Sequence, residues 1–214
     1  MNPRDQEKHL AACAAAELVA DFATVGLGTG STVAHLLPAL AARALDLRCV
    51  ATSPATEHAA RELGLRVETF DAVSRLDIAI DGADQVDPAG WLIKGGGGAH
   101  LREKIVAAAA ERFVVIASSD KVVETLAPPV PLELVSFGLQ ATLAALGAAR
   151  VRDAPPSPDG GVIADWWEPF DDPGALAARL DATPGVAAHG LFTPALVSDV
   201  LIARGRAVEH RRLR

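Results

Sequence analysis

A chain of 214 residues, half of them hydrophobic and 22% charged, has globular composition and can bury one large core, or one core plus a small second domain. Its net charge of −7 argues against general nucleic-acid binding, although a local cationic pocket could still take a small anion. No apolar run reaches membrane-spanning length, and the polar start, Met1 to Lys8, leads into an Ala-rich stretch carrying Glu17; this reads as a surface helix rather than a signal peptide, with the cytoplasm as the expected compartment.

The expected elements follow in chain order. Residues 5–20 read as a helix. Thr24 to Gly28 is a short strand entering a glycine turn, and Ser31 to Leu45 a helix with Ser31 or Thr32 as N-cap. Leu47 to Thr52 is a second strand, followed by a helix at Pro54 to Leu63 with proline near its first turn. Leu65 to Phe70 and Leu76 to Ile80 are strand-like, Ala99 to Glu111 is an Ala-rich helix, and Phe113 to Ala117 is a fully apolar strand. Short apolar strands alternating with helices predict a doubly wound α/β fold: a mostly parallel sheet with helices on both faces. Right-handed crossovers put the strand C-termini on one edge, where ligands bind. The Gly28 turn, Thr52-Ser53, Asp81 and Ser118-Ser119 all follow apolar strands and should collect there.

Prolines cluster at Pro128-Pro129, and the pattern changes. Strand-like pieces at Leu132 to Val135, Val151, Val162 to Asp165 and Val186 to Phe192 alternate with helices at Phe137 to Leu146 and Pro173 to Leu180, as in a small α+β unit. Pro155 to Gly161 is a loop. Val197 to Ala203 is apolar again and is expected to return to the first sheet as an edge strand. The expected division is a catalytic domain over 1–128, a lid over 129–196 and a return over 197–214.

Cys13 and Cys49 read as small buried residues in a reducing compartment, and two distant cysteines make no zinc site. Histidines 9, 35, 58, 100, 189 and 210 lack metal-ligand spacing. Basic residues are sixteen Arg and only four Lys: Lys8, Lys94, Lys104 and Lys121. A rare lysine in such a background hints at a site that needs a compact point charge.

Four segments carry chemistry. Gly26-Leu27-Gly28-Thr29-Gly30-Ser31-Thr32 joins a strand to a helix, where glycines let backbone approach an anion and the helix N-terminus supplies N–H donors. No Gly-Lys-Ser/Thr follows, and no acid ends the next strand to bind a ribose diol, so a single phosphate fits better than a nucleotide. The plain alternative is a tight capped turn. Asp81-Gly82-Ala83-Asp84 ends an apolar strand; the two carboxylates could share protons or bind Mg2+, or each could simply accept backbone N–H bonds in a turn. A nearby Lys94 would disfavour the metal. Lys94 opens Gly95-Gly96-Gly97-Gly98, a run costly in conformational entropy whose N–H groups could form an oxyanion hole. A flexible hinge is the alternative. Glu103 falls in the first turn or so of the next helix, where the dipole favours a carboxylate. Finally, Ser118-Ser119-Asp120-Lys121 follows a strand and offers a phosphate cation or, equally, a polar turn.

Together these segments resemble ribose-5-phosphate isomerases of the A type, a metal-free family. The resemblance rests on Gly26 to Thr32, Thr52-Ser53 with Leu63-Gly64, Asp81 to Asp84, Lys94 to Lys104, the strand leading to Lys121, Pro131-Leu132-Glu133-Leu134 with Phe137, and His189-Gly190-Leu191-Phe192. It implies a Rossmann-like domain with a smaller ferredoxin-like lid, assembled as dimers or tetramers, and the interconversion of ribose 5-phosphate and ribulose 5-phosphate in the pentose phosphate pathway without a cofactor. By the same resemblance Glu103 is the proton acceptor, Asp81 and Asp84 orient sugar hydroxyls and help open the ring, and Lys94 with the amides of Gly95, Gly96 and Gly97 stabilises the enediolate. Thr29, Gly30, Ser31, Thr32 and Lys121 hold substrate, chiefly its phosphate, the Gly82-Ala83 backbone lies along it, and Lys8 is a further candidate. Departures are Leu101 where a Thr is common, the Ser118/Asp120 arrangement before Lys121, and a loose Pro158 to Trp167 segment that keeps Asp165. A non-catalytic sugar-phosphate sensor remains the alternative from another class; it would have no need of Glu103 or Lys94. A nucleotide-dependent enzyme is the third reading.

Overall fold

The computed structural model describes residues 2–214. The chain divides into two compact units, one made of Met1–Ala83, Arg102–Val122 and Ala195–Arg214, the other of Asp84–Leu101 and Val123–Pro194. The elements in chain order are α1 (Pro3–Ala16), β1 (Thr24–Leu27), α2 (Val33–Ala42), β2 (Arg48–Ala51), α3 (Pro54–Glu62), β3 (Leu76–Gly82), β4 (Gln85–Val86), β5 (Leu92–Ile93), α4 (His100–Ala109), β6 (Ala110–Ser118), β7 (Val130–Leu134), α5 (Leu139–Leu146), β8 (Ala149–Val151), β9 (Val162–Trp166), α6 (Pro173–Asp181), β10 (Val186–His189), β11 (Leu191–Phe192), β12 (Asp199–Arg204) and β13 (Ala207–Arg212).

The first unit holds a six-stranded sheet in the order β13-β12-β6-β3-β1-β2, parallel except for β13. Strand alternation shows why helices cover both faces. Val25, Leu27, Ile78, Ile80, Val114 and Ile116 point to one side, into a core with Ala11, Ala12, Ala15 and Ala16 of α1 and Val33, Leu36, Leu37 and Leu40 of α2. Gly26 and Ala79 point to the other, where a Cβ on Gly26 would lie 2.5 Å from Val106 of α4. Alanine along one side of α1 lets that helix sit close to its neighbours, and all four of those alanines are fully buried.

Three helices start alike. Asn2, Ser53 and Asp172 are extended N-cap residues whose side chains accept an N–H of the first turn, each followed by proline at the first helical position. Helix α2 differs: Thr32 occupies the cap position, one of the two expected, but has αR dihedrals and makes no side-chain capping bond. The Gly28–Thr32 turn leads straight into the helix, and its first amide bond is Ala34 N–H to the Gly30 carbonyl, 3.0 Å.

The second unit carries a four-stranded antiparallel sheet in the order β10-β7-β9-β8 and a small ribbon in the order β11-β5-β4. The run β7-α5-β8-β9-α6-β10 is a βαββαβ unit, the ferredoxin-like arrangement. Its core gathers Val130, Leu132 and Leu134 of β7, Trp166 of β9, Leu146 of α5 and Leu176 and Leu180 of α6.

Several expectations need correction. Leu65 to Phe70 is not a strand: it makes a single bridge, Cys49 to Val67, and Phe70 starts a 3₁₀ turn. Val197 to Ala203 does not form the edge; β12 is flanked by β6 and β13, and the hairpin strand β13 takes the edge with its polar residues exposed. Val186 to Phe192 is two strands in different sheets, broken at Gly190, where a Cβ would lie 2.1 Å from the Lys94 carbonyl oxygen. Cys49 is buried as expected, whereas Cys13 is only half-buried, its Sγ 3.6 Å from His9 Nε2. No helix among the described residues is long and apolar enough to cross a membrane.

Candidate active site

In the first unit, the C-terminal ends of β1, β2 and β3 converge as parallel topology requires. Asp81, on β3, is 3% exposed, and its Oδ1 accepts the N–H of Gly82 at 2.7 Å and of Thr29 at 3.1 Å. Gly28 makes room for that carboxylate, since a Cβ there would stand 1.9 Å from the same oxygen. The Thr29 hydroxyl lies 2.8 Å from both Thr52 Oγ1 and Ser53 Oγ and 3.2 Å from Thr56 Oγ1, and Thr56 donates to the Gly28 carbonyl at 3.0 Å. A hydroxyl cluster from the β2–α3 junction thus fixes the glycine turn, and the Thr29 side chain is spent on that network. Gly30 (φ +119°), Ser31 and Thr32 follow, with Gly30 and Ser31 exposed ahead of α2. Amides at an uncapped helix start suit an anion.

Glu103 lies in the first turn of α4, as expected, and is 4% exposed. A carboxylate side chain this deeply buried is rare, since glutamate is almost never fully buried unless it is paired. Lys121 ends the 3₁₀ turn Ser119–Lys121 after β6. That turn is pinned by Glu7 of α1, whose carboxylate accepts the Ser119 N–H at 2.9 Å, the Ser119 hydroxyl at 2.7 Å and the Gly205 N–H at 2.7 Å. These bonds, Gly205's first, hold Glu7 below the usual carboxylate range despite its partial burial. Asp120 is also lowered: burial pushes it up, but the Ser118 hydroxyl at 2.5 Å and the Lys121 and Arg4 cations outweigh that. Lys8 stays near Asp5 on α1, 3.8 Å away.

In the second unit, Lys94 follows β5 and is 3% exposed. Its N–H bonds the Gly190 carbonyl at 2.9 Å, and its ammonium stands 5.5 Å from the Phe192 ring centroid, a cation–π seat. The His189-Gly190-Leu191-Phe192 segment therefore builds the lysine's surroundings. Gly95 has φ +107°, and a Cβ on it would meet His100 Nδ1 at 2.7 Å and Pro131 Cβ at 2.8 Å, so only glycine fits. Gly96 donates its N–H to Asp84 Oδ2 at 2.8 Å, and Gly98 returns to the Gly95 carbonyl at 3.0 Å. These bonds tie the loop at Gly96 and Gly98. Asp81 and Asp84 both accept backbone N–H bonds, as the plain turn reading required, yet the donors at Thr29 and Gly96 are remote in sequence.

Sequence reasoning missed Gly28 as the seat of Asp81, Glu7 as the anchor of the Lys121 turn, and Arg152. Arg152 donates from Nη1 to the Gly95 carbonyl at 3.2 Å and the Gly96 carbonyl at 3.1 Å, while Nε and Nη2 bind Asp165 Oδ2 at 2.9 Å and Oδ1 at 2.5 Å. Asp165 was visible as an acid in a loose segment; Arg152 had no local signal among sixteen arginines. Among the described residues no group of three or more His, Cys, Asp or Glu side chains is placed to hold a metal ion.

The chain resembles known proteins in sequence and in fold. Residues 48–206 match the family profile of ribose 5-phosphate isomerase A, also called phosphoriboisomerase A. The chain is 44% identical over 219 residues to the ribose-5-phosphate isomerase A of Caulobacter sp. strain K31, covering 95% of this chain and 96% of that one. It is 50% identical over 186 residues to that of Roseiflexus sp. strain RS-1, covering 79% and 80%. The solved ribose 5-phosphate isomerase A of Neisseria gonorrhoeae superposes with a TM-score of 0.95 at 31% identity, over 100% of this chain and 99% of the other. A D-ribose-5-phosphate isomerase in complex with phospho-erythronic acid superposes with a TM-score of 0.92 at 31% identity, over 99% and 100%. By sequence and by fold, the chain belongs to the ribose 5-phosphate isomerase A family.

Proposed function

We propose that the chain interconverts ribose 5-phosphate and ribulose 5-phosphate through an enediolate, with Glu103 as the base. The observation that carries this reading is the burial of Glu103 at the start of α4, in a chain of this family. In the open-chain aldose, Glu103 takes the C2 proton. The C–H electron pair becomes the C1–C2 double bond, and negative charge moves onto O1. A proton passes from the C2 hydroxyl to O1, Glu103 returns its proton to C1, and the C2 carbonyl forms. One carboxylate serves both steps, and no net oxidation occurs. The barrier falls to the extent that enediolate charge is met by preset donors. Lys94 and the Gly95 and Gly97 amides supply them, while the Gly96 amide is engaged by Asp84 and acts through that carboxylate. Asp81 and Asp84, each oriented by backbone N–H bonds, hold sugar hydroxyls and assist ring opening. The turn amides of Gly30, Ser31 and Thr32 with Lys121 take the phosphate, and the Gly82-Ala83 backbone lies alongside. Thr29 contributes through its position in the turn, because its hydroxyl is already engaged. The reaction is metal-independent in this reading, and the enzyme works in the cytoplasm as a homo-oligomer.

The test is Glu103→Gln. It keeps the side chain's size and one acceptor oxygen but removes the base, so kcat should fall about 10²–10⁴-fold with folding and phospho-erythronic acid binding retained. The parent should convert ribose 5-phosphate to ketose in EDTA. Near-parental turnover of the variant removes Glu103 from its role, while ligand binding without any ketose from the parent would favour the sensor reading.

A further inference from the structure

Four consecutive glycines would ordinarily sample many backbone conformations, and an oxyanion site works only if its amides point one way before charge develops. Arg152 addresses this. It sits just past β8, its own N–H held by the Ile163 carbonyl of β9 at 2.9 Å. Its guanidinium is forked onto the buried Asp165 through Nε and Nη2, which leaves Nη1 facing the loop, where it meets two successive carbonyls, Gly95 and Gly96. In a planar trans peptide the carbonyl and the following N–H point in opposite directions. Fixing the Gly95 carbonyl therefore turns the Gly96 N–H away from Arg152, and that N–H is found on Asp84 Oδ2 at 2.8 Å. Fixing the Gly96 carbonyl turns the Gly97 N–H away as well. The Gly97 N–H makes no hydrogen bond to the described residues, and Gly97 is exposed.

We propose that Arg152, braced by Asp165, is a positioning residue that presets the Gly97 amide for the enediolate and, by fixing the Gly96 amide on Asp84, sets that carboxylate for the sugar hydroxyls. A planar fork is needed: one edge must hold a carboxylate in two bonds while the remaining nitrogen reaches two carbonyls, which a lysine ammonium cannot do. The Asp165 bonds also raise the guanidinium's already high pKa, so the brace stays charged throughout the working pH range. The inference rests on the isomerase reading above.

The experiment compares the parent with Arg152→Met, Arg152→Lys and Asp165→Asn. Each is assayed for kcat and KM with ribose 5-phosphate, inhibition by phospho-erythronic acid, Tm, and amide hydrogen exchange of the peptide spanning 94–99. Arg152→Met should lower kcat about 10–100-fold, the scale of a misplaced reacting geometry, with KM changed less than about threefold. Inhibitor affinity should fall with kcat/KM, loop exchange should accelerate about tenfold or more, and Arg152→Lys should not rescue. Asp165→Asn should fall between parent and Arg152→Met in kcat and exchange. Parental kcat per folded molecule in Arg152→Met, or unchanged loop exchange, overturns the proposal, as does full rescue by lysine. A parent inactive on ribose 5-phosphate would instead defeat the isomerase reading, and the exchange data would still decide whether Arg152 orders the loop.

Discussion

Gly28→Ala tests how the first unit holds its acid. The added methyl would stand 1.9 Å from Asp81 Oδ1, and real contacts of this kind stay beyond 3.0 Å, so the carboxylate must retreat by about 1.1 Å (3.0 − 1.9). A retreat of that size could lengthen the Gly82 and Thr29 N–H bonds, now 2.7 and 3.1 Å, to at most about 3.8 and 4.2 Å, so one or both weaken or break. Each bond to a charged group contributes about 1.5–3 kcal/mol. Because the two share one oxygen, a combined loss of about 2–4 kcal/mol follows, or a drop in Tm of roughly 5–15 °C for a chain of this size. A reacting group misplaced by about 1 Å costs on the order of 10²-fold in rate. Thermal denaturation followed by circular dichroism and a ketose assay at saturating ribose 5-phosphate measure the two effects. A Gly28→Ala enzyme with Tm and kcat within experimental error of the parent would refute both the tight Asp81 seat and the need for it.

Two further outcomes follow from groups away from the chemistry. Burial pushes the Cys49 thiol up to about 12, and burial together with Glu17 raises Cys13. At pH 7.5 iodoacetamide should label the half-buried Cys13 slowly and Cys49 only on unfolding; rapid native labelling of Cys49 would contradict its burial. Asp199 of β12 is buried, which alone would raise it, but Arg112 at 2.6 Å and His210 at 2.6 Å hold it below the usual carboxylate range. A depressed folded pKa contributes stability that is present above the unfolded value, about 3.9, and lost as pH falls through the folded one. The Tm gap between the parent and Asp199→Asn should therefore be widest from about pH 5 upward and close in acid; a gap constant with pH would refute the pairing.

Much of this protein follows from local chemistry that needs no tertiary partner. Alternating apolar strands and helices specify a doubly wound sheet because parallel strands must be covered on both faces, and the glycine turn, Asp81 and Ser118 then fall at strand C-termini by topology alone. Side-chain caps with proline at Ser53 and Asp172 mark helix starts through bonds made within a few residues. The segments holding Asp81, Asp84, Lys94 and Glu103 stood out because acids, a lysine and a glycine run fall close together in the sequence. What the chain order could not show depends on partners far apart in sequence. The Leu65–Phe70 segment has strand composition but only one bridging partner, and β12 lies inside the sheet because the polar β13 covers its flank. Gly28 matters because Asp81 lies 53 positions later, and Arg152 because it reaches back to Gly95 and Gly96. A side chain's identity limits which bonds it can make, and only the folded backbone decides which donor and acceptor meet.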